Sequence, residues 1–183
     1  MSNATTVLLC GVGGQGTVLA ADLLARTALA SNYDVKVSEI HGMSQRGGAV
    51  TTVVRFGTEP VATMVADHGC VDCVVSFETT EALRNLPFVR EGGYLLVADE
   101  DIKPLPVLTG KAGMPENARE KLQAAGASLI PAGPIAEQVA TSKSVNVVLL
   151  GALATRLDFS EEVWKEVISK RVPPKTVEAN LRA

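Results

Sequence analysis

The sequence predicts an α/β fold, an open, mostly parallel sheet with helices on both faces, and three observations carry that expectation. Residues 6–10 form a short apolar run that stops at Gly11-Val-Gly-Gly-Gln-Gly16, and residues 17–31 continue with Ala- and Leu-rich sequence at helical spacing. Strand-like and helical stretches then alternate, the rhythm of sheets whose parallel strands are joined by helices. Residues 71–77 are dominated by apolar side chains, as a strand buried on both faces would be.

Taken in order, residues 6–10 are the first strand, 11–16 a tight turn and 17–31 the first helix. Residues 33–40 alternate Val35 and Val37 with Lys36 and Ser38, which predicts a second strand, and the Gly-rich stretch 41–48 interrupts it. Residues 49–56 are strand-like, and Gly57-Thr-Glu-Pro60 is a turn signal that predicts a hairpin with 61–65. After the strand at 71–77, residues 78–85 read as a short helix and 94–98, beyond Gly92-Gly93, as another strand. Three prolines and two glycines make 99–115 an expected irregular loop. Residues 116–125 look helical, with Gly126 as the stop, and 127–130 make the last strand. From Pro134 the reading is helical to the end: residues 145–157 are apolar nearly all round and should be buried, Ser160-Glu-Glu caps an amphipathic helix, and Pro173-Pro174 breaks it before a final one.

At 183 residues the chain is expected to fold as one domain over its whole length, and 46% apolar against 20% charged residues supply a real core. A formal net charge of −3 gives no field to gather nucleic acid or anionic lipid, so neither is an expected partner. No apolar run reaches the ~18–20 residues needed to span a bilayer, and residues 1–6 lack a basic segment followed by an apolar one, so a cytoplasmic location is expected. Three cysteines are an odd count that fits a reducing compartment. Cys70-Val-Asp-Cys73 has redox or half-metal spacing, but a structural zinc site needs four ligands and only Cys10, His41 and His68 remain as soft candidates. Residues three apart on a strand also point to opposite faces, so these are read as ordinary strand cysteines and no metal site is expected.

Gly11-x-Gly13-x-x-Gly16 has dinucleotide spacing in a strand, turn and helix context, and Glu39 follows about 20 residues on, so the sheet has a Rossmann-like expectation. Glycines allow the turn and let backbone N–H groups approach an anion at the positive helix end. The same loop, with Gly14 included, can instead pack against a partner or another backbone. Gln15 points to that use, because a carboxamide both donates and accepts. The second loop, His41-Gly42-Met-Ser44-Gln45-Arg46-Gly47-Gly48, gathers an imidazole, a guanidinium, a carboxamide and three glycines, with Arg55 on the next strand. Flanking glycines leave the arginine fork open to a phosphate or carboxylate; the plain alternative is a surface loop with a solvated arginine. Gly42-Met-Ser44-Gln-Arg46 misses the nucleophile elbow, since its fifth position is arginine. Glu78 and Glu81 suit a helix amino end, and Asn146, within an apolar run, should tie a helix to a loop or reach an interface, since burying it unpaired costs about 1–3 kcal/mol.

These two glycine loops, with Val54-Arg-Phe-Gly57, Ser76-Phe-Glu-Thr-Thr-Glu-Ala-Leu-Arg84, Asn146-Val-Val-Leu-Leu-Gly-Ala-Leu153 and the tail from Pro174, closely resemble the gamma-type subunits of 2-oxoacid:ferredoxin oxidoreductases. Within them, the His41-Gly-Met-Ser-Gln-Arg46 form of the second loop is most similar to the small subunits of the indolepyruvate enzymes. The resemblance implies a non-cofactor-bearing subunit of an enzyme that oxidatively decarboxylates a 2-oxoacid, an aryl pyruvate by preference, to an acyl-CoA with electrons passed to ferredoxin. Thiamine diphosphate and the [4Fe–4S] clusters would belong to a large partner subunit, coenzyme A would be the co-substrate, and this chain alone would bind no cofactor. His41 and Arg46 are then the catalytic candidates. Gly11, Gly13, Gly14, Gln15, Gly16, Gly42, Ser44, Gln45, Gly47, Gly48, Arg55 and Asn146 are the candidates for cofactor approach or subunit interface. The alternative is a stand-alone dinucleotide-binding protein using 11–16 and Glu39.

Overall fold

The computed structural model describes residues 4–42 and 48–183. Its centre is β1 (Thr5–Val12), buried from Thr6 onward because it has a strand on each edge and helices over each face. β2 (Asp34–His41), β3 (Ala49–Gly57), β4 (Val71–Ser76), β5 (Val89–Ala98) and β6 (Ser128–Ile130) complete a sheet of order β2-β3-β1-β4-β5-β6. β4, β5 and β6 run parallel to β1, whereas β3 is antiparallel to both β1 and β2. Five of the six strands therefore share one direction and only β3 is reversed, so the sheet is open and mostly parallel as the alternating pattern predicts.

One face carries Leu9, Val54, Val75 and Leu96. α1 (Thr17–Ala30), α6 (Val145–Ala154) and α7 (Glu161–Arg171) cover it, and α5 (Ala132–Val139) adds Ala132 and Ala136 to the same core. Leu149, Leu150 and Leu153 of α6 are all within 2% of full burial, which explains why that helix has no polar side: it lies between the sheet and the outer helices. The opposite face presents Leu8, Val53, Val74 and Leu95 to α2 (Thr79–Asn85) and α4 (Ala118–Ala124), with Leu122 buried between them. Gly126, at φ +83°, ends α4 in the left-handed region that glycine adopts without a Cβ clash, and Ser160 caps α7 by accepting from the Val163 N–H at 3.4 Å. The last helix, α8 (Val177–Arg182), follows Pro173-Pro174.

Several boundaries differ from the sequence reading. Residues 61–65 form no strand, because both edges of β3 are already filled, by β1 with Val7 opposite Val54 and by β2 with Val37 opposite Val54. The segment is held instead by the Val61 N–H donating to Asp34 Oδ2 at 2.7 Å and by Arg55 Nη1 donating to the Val65 carbonyl at 3.1 Å. β5 starts at Val89, not 94: the register moves from Val71 opposite Val89 to Cys73 opposite Tyr94, and Gly92 at φ +68° absorbs the irregularity. The irregular stretch after β5 contains a short helix, α3 (Leu105–Leu108), and the helical part of the chain begins at Ala132, two residues before Pro134. β2 is left as an outer edge, with Val37 and Ile40 exposed.

Because Leu149 of α6 is fully buried in the core, Leu149→Ala should cost about 2–5 kcal/mol, read as a lowered urea midpoint with an unchanged slope.

Candidate functional site

The carboxyl ends of β1 and β4 and the amino end of β3 share one rim of the sheet, where open α/β sheets place their sites. The loop at 11–16 lies there, and its shape is set by Gln15. The Gln15 Oε1 accepts from the Val12 N–H at 2.7 Å, and its Nε2 donates to the Phe77 carbonyl at 2.9 Å, so one carboxamide ties the loop to itself and to the end of β4. Phe77 N–H in turn donates to the Cys10 carbonyl at 2.8 Å. Gly11 is required by this closure, since a Cβ there would lie 2.6 Å from Gln15 Oε1 and 2.9 Å from Phe77 Cβ. Gly16, left-handed at φ +82°, would bring a Cβ to 2.7 Å from Asn146 Nδ2. Asn146 is 4% exposed and its Nδ2 donates to the Gly16 carbonyl at 3.4 Å, so it ties α6 to the loop that opens α1.

The two glycine loops meet. The Gly13 N–H donates to the Gly48 carbonyl at 2.9 Å, and the Gly42 N–H donates to the Ala49 carbonyl at 3.1 Å, closing the neck of the second loop. Gly11, Gly13, Gly14, Gln15, Gly16, Gly48 and Asn146 are thus one assembly, with Gly13 and Gly14 exposed on its surface. His41 is exposed at the end of β2, opposite Val50, with Gly42 beside it. Ser44, Gln45, Arg46 and Gly47 lie outside the described residues. Arg55 is not part of this rim: it follows Ala49 by six residues of β3, about 20 Å at the usual strand rise, and pairs across to Thr6 near the start of β1. Its expected place beside the second loop is corrected by that register.

The geometry also weighs against dinucleotide binding. The N–H groups of Val12, Gly13 and Gln15 are already engaged by Gln15 Oε1, Gly48 O and Val12 O, so the loop has few donors left to offer a pyrophosphate. Glu39 stands on β2, and β3 lies between it and β1, which moves the acid about two strand spacings, or roughly 10 Å, from the loop it would have to serve.

Two polar groupings stand at this rim: Glu78 and Glu81, which the sequence places at a helix amino end, and an Asp99, Asp101 and Arg119 cluster that the sequence reading does not single out. Beneath the loop, Glu78 is 1% exposed and caps α2, its Oε2 accepting from the Thr80 N–H at 2.9 Å and its Oε1 from the Glu81 N–H. Burial holds the Glu81 carboxyl above the ordinary range; its ion pair with Arg84 at 2.7 Å opposes that and Glu78 adds to it. Burial also pushes the Cys10 thiol up to about 12, with Ser76 lowering it and the two glutamates raising it. Further along, Arg119 bridges Asp99 at 2.5 Å and Asp101 at 2.6 Å, and the Thr79 hydroxyl donates to Asp101, whose carboxyl is held low first by that hydroxyl. The readable signal was the acid pair Asp99 and Asp101 directly after a strand. Among the described residues no three His, Cys, Asp or Glu side chains are grouped to hold a metal. Cys73 is buried on β4, its thiol pushed up to about 11 chiefly by burial, while Cys70 is exposed ahead of the strand.

A family model described as pyruvate ferredoxin/flavodoxin oxidoreductase matches residues 6–183. Indolepyruvate oxidoreductase subunit IorB of Thermococcus kodakarensis is 40% identical over 184 residues, covering 97% of this chain and 91% of that protein. The crystal structure of a keto/oxoacid ferredoxin oxidoreductase gamma subunit from Geobacter sulfurreducens aligns with a TM-score of 0.70 at 23% identity, over 97% of this chain and 92% of that one. The 2-oxoglutarate:ferredoxin oxidoreductase of Magnetococcus marinus, solved with 2-oxoglutarate, coenzyme A and succinyl-CoA bound, aligns with a TM-score of 0.74 at 21% identity, over 99% of this chain and 30% of that one. At these identities the two structures show the shared fold.

Gln15→Ala leaves a buried donor and acceptor unpaired and should lower stability by about 1–3 kcal/mol in urea unfolding; a side chain serving only a partner would leave the isolated chain unchanged. With the Cys10 and Cys73 thiols at about 12 and 11, thiol titration of the native chain at pH 8 should label Cys70 alone, and Cys70→Ser should abolish the signal.

Proposed function

Because the chain belongs to the pyruvate ferredoxin/flavodoxin oxidoreductase family, we propose that it is the gamma-type subunit, bearing no cofactor of its own, of a 2-oxoacid:ferredoxin oxidoreductase. The substrate is indolepyruvate or another aryl pyruvate, a choice supported by the 40% identity to an indolepyruvate oxidoreductase subunit. The assembled enzyme decarboxylates the 2-oxoacid oxidatively to an acyl-CoA and passes the electrons to ferredoxin. Thiamine diphosphate and the [4Fe–4S] clusters sit on a large partner subunit and supply the carbanion and electron-transfer chemistry when bound there. This chain contributes as one domain over residues 1–183, in the cytoplasm.

The observation that carries the reading is the closed glycine loop. The N–H groups of Val12, Gly13 and Gln15 are engaged within the chain and Gly13 and Gly14 are left exposed, which suits a surface that another backbone approaches closely rather than a dinucleotide cradle. The role of this chain is therefore to shape one wall of a subunit junction. Gly11, Gly13, Gly14, Gln15 and Gly16 form that wall and Asn146 braces it, and the second loop, with Gly42, Ser44, Gln45, Gly47 and Gly48, contributes His41 and Arg46 as its candidate reactive groups. There Arg46 holds a carboxylate or phosphate of substrate or coenzyme A, for which its planar fork is suited. Arg55 stands outside this set.

Anaerobic affinity purification of the chain from its native cells, followed by mass spectrometry, should yield a large partner carrying thiamine diphosphate and iron–sulfur clusters in stoichiometric amount. A chain that emerges alone and binds NAD would overturn the assignment. In the assembled complex Arg46→Ala should reduce turnover while the unfolding midpoint of the chain stays put, and equal turnover of the two complexes would remove Arg46 from the site.

A further inference from the structure

At the end of the sheet opposite the glycine loops, a cleft of about 340 Å³ lies over the amino ends of β1, β4 and β5, beneath the connection between α6 and α7. That volume is within the ~300–1,000 Å³ of small-molecule sites. Its apolar wall is aromatic: Tyr33, Phe56 and Phe159 pack edge to face or tilted, with ring centroids 5.3–5.8 Å apart. Its polar side is built around Arg156, whose guanidinium carbon lies 4.5 Å from the centroid of the Tyr94 ring. Among the described residues Arg156 has no carboxylate within ion-pairing distance, so the fork is held by stacking while its N–H donors keep their capacity.

The other charges around the cleft narrow the ligand. Arg90 is neutralised by Asp72 at 2.7 Å, and the second Asp72 oxygen accepts from the Thr6 N–H at 2.8 Å, so that pair forms part of the wall and offers no free charge. Asp158, two residues beyond Arg156, also lines the cleft and would repel a dianion such as phosphate. A single negative charge for Arg156, next to a flat apolar body for the aromatic wall, meets all of these conditions.

We propose that this cleft binds a small aryl carboxylate, its carboxylate on Arg156 and its ring against Tyr33, Phe56 and Phe159. An aryl-substituted amino acid presents the same carboxylate and ring, with an ammonium in reach of Asp158, and an unsubstituted aryl acid lacks that group. The two sources are distinguished by whether the amino group adds affinity.

The test is titration of the isotope-labelled full chain with 3-phenylpropanoate by NMR, alongside L-phenylalanine, 3-phenylpropan-1-ol and inorganic phosphate. Saturable shifts at the Tyr94, Arg156 and Phe159 amides are expected with both carboxylates, tighter for L-phenylalanine if the amino acid is the natural source. The alcohol, and 3-phenylpropanoate on Arg156→Gln, should each bind about tenfold or more weakly, as loss of a charge-assisted contact requires. Arg156 is exposed, so the variant should keep its unfolding midpoint, which confirms that any loss is at the site. No saturable shift with either acid, equal binding to Arg156→Gln, or equal binding of phosphate would overturn the proposal.

Discussion

The reversed strand β3 decides what the rim of this molecule can do. By entering between β1 and β2 it takes a hydrogen-bonding edge from each, and the Gly48 that precedes it arrives beside Gly13 of the first loop. In a doubly wound sheet with β2 directly beside β1, the glycine loop and the acid at the end of β2 would face a common ligand. Here they are separated by a whole strand, and the Gly13 N–H of the fingerprint is engaged by the Gly48 carbonyl at the neck of a second glycine loop. A fingerprint that reads as cofactor binding in one topology becomes a backbone platform in another.

The platform is held together by two carboxamides far apart in the chain, Gln15 and Asn146. Gln15 satisfies its own loop and the end of β4, and Asn146 reaches the same loop across 130 residues from a helix that is otherwise apolar. Buried or half-buried amides of this kind contribute through satisfaction more than through strength, because the larger energy is the one lost when a partner is removed. They also explain why the glycines at 11 and 16 tolerate no side chain: a Cβ at either position would meet one of the two amides closer than 3 Å.

Much of this was legible in the sequence, and the reasons are local. The run before Gly11, the apolar stretch that forms β4, the Ser160 cap and the nearly all-apolar α6 each carry their signal within one element. The failures were long-range. Nothing in residues 49–56 says which strands will flank them, so residues 61–65 were expected to pair with an edge that was already occupied, and Arg55 was grouped with a loop that lies at the far end of its strand. β5 was shortened because Gly92-Gly93 reads as a turn when its neighbour is unknown; beside β4 it is an irregularity inside a strand. The role of Gln15 was anticipated in chemistry, as a group that both donates and accepts, but its partners proved to be this chain's own backbone.

Among the described residues β2 closes the sheet on one side with no strand on its outer edge, and Val37 and Ile40 are exposed along it, separated by Ser38 and the exposed charge of Glu39. A row of open backbone donors and acceptors recruits any extended chain that meets it, and two apolar side chains make the encounter stickier. Synthesis of this subunit out of step with the rest of its complex would therefore carry a solubility penalty concentrated on eight residues. The charges at Lys36 and Glu39 are the guards that keep that strand from finding its own kind.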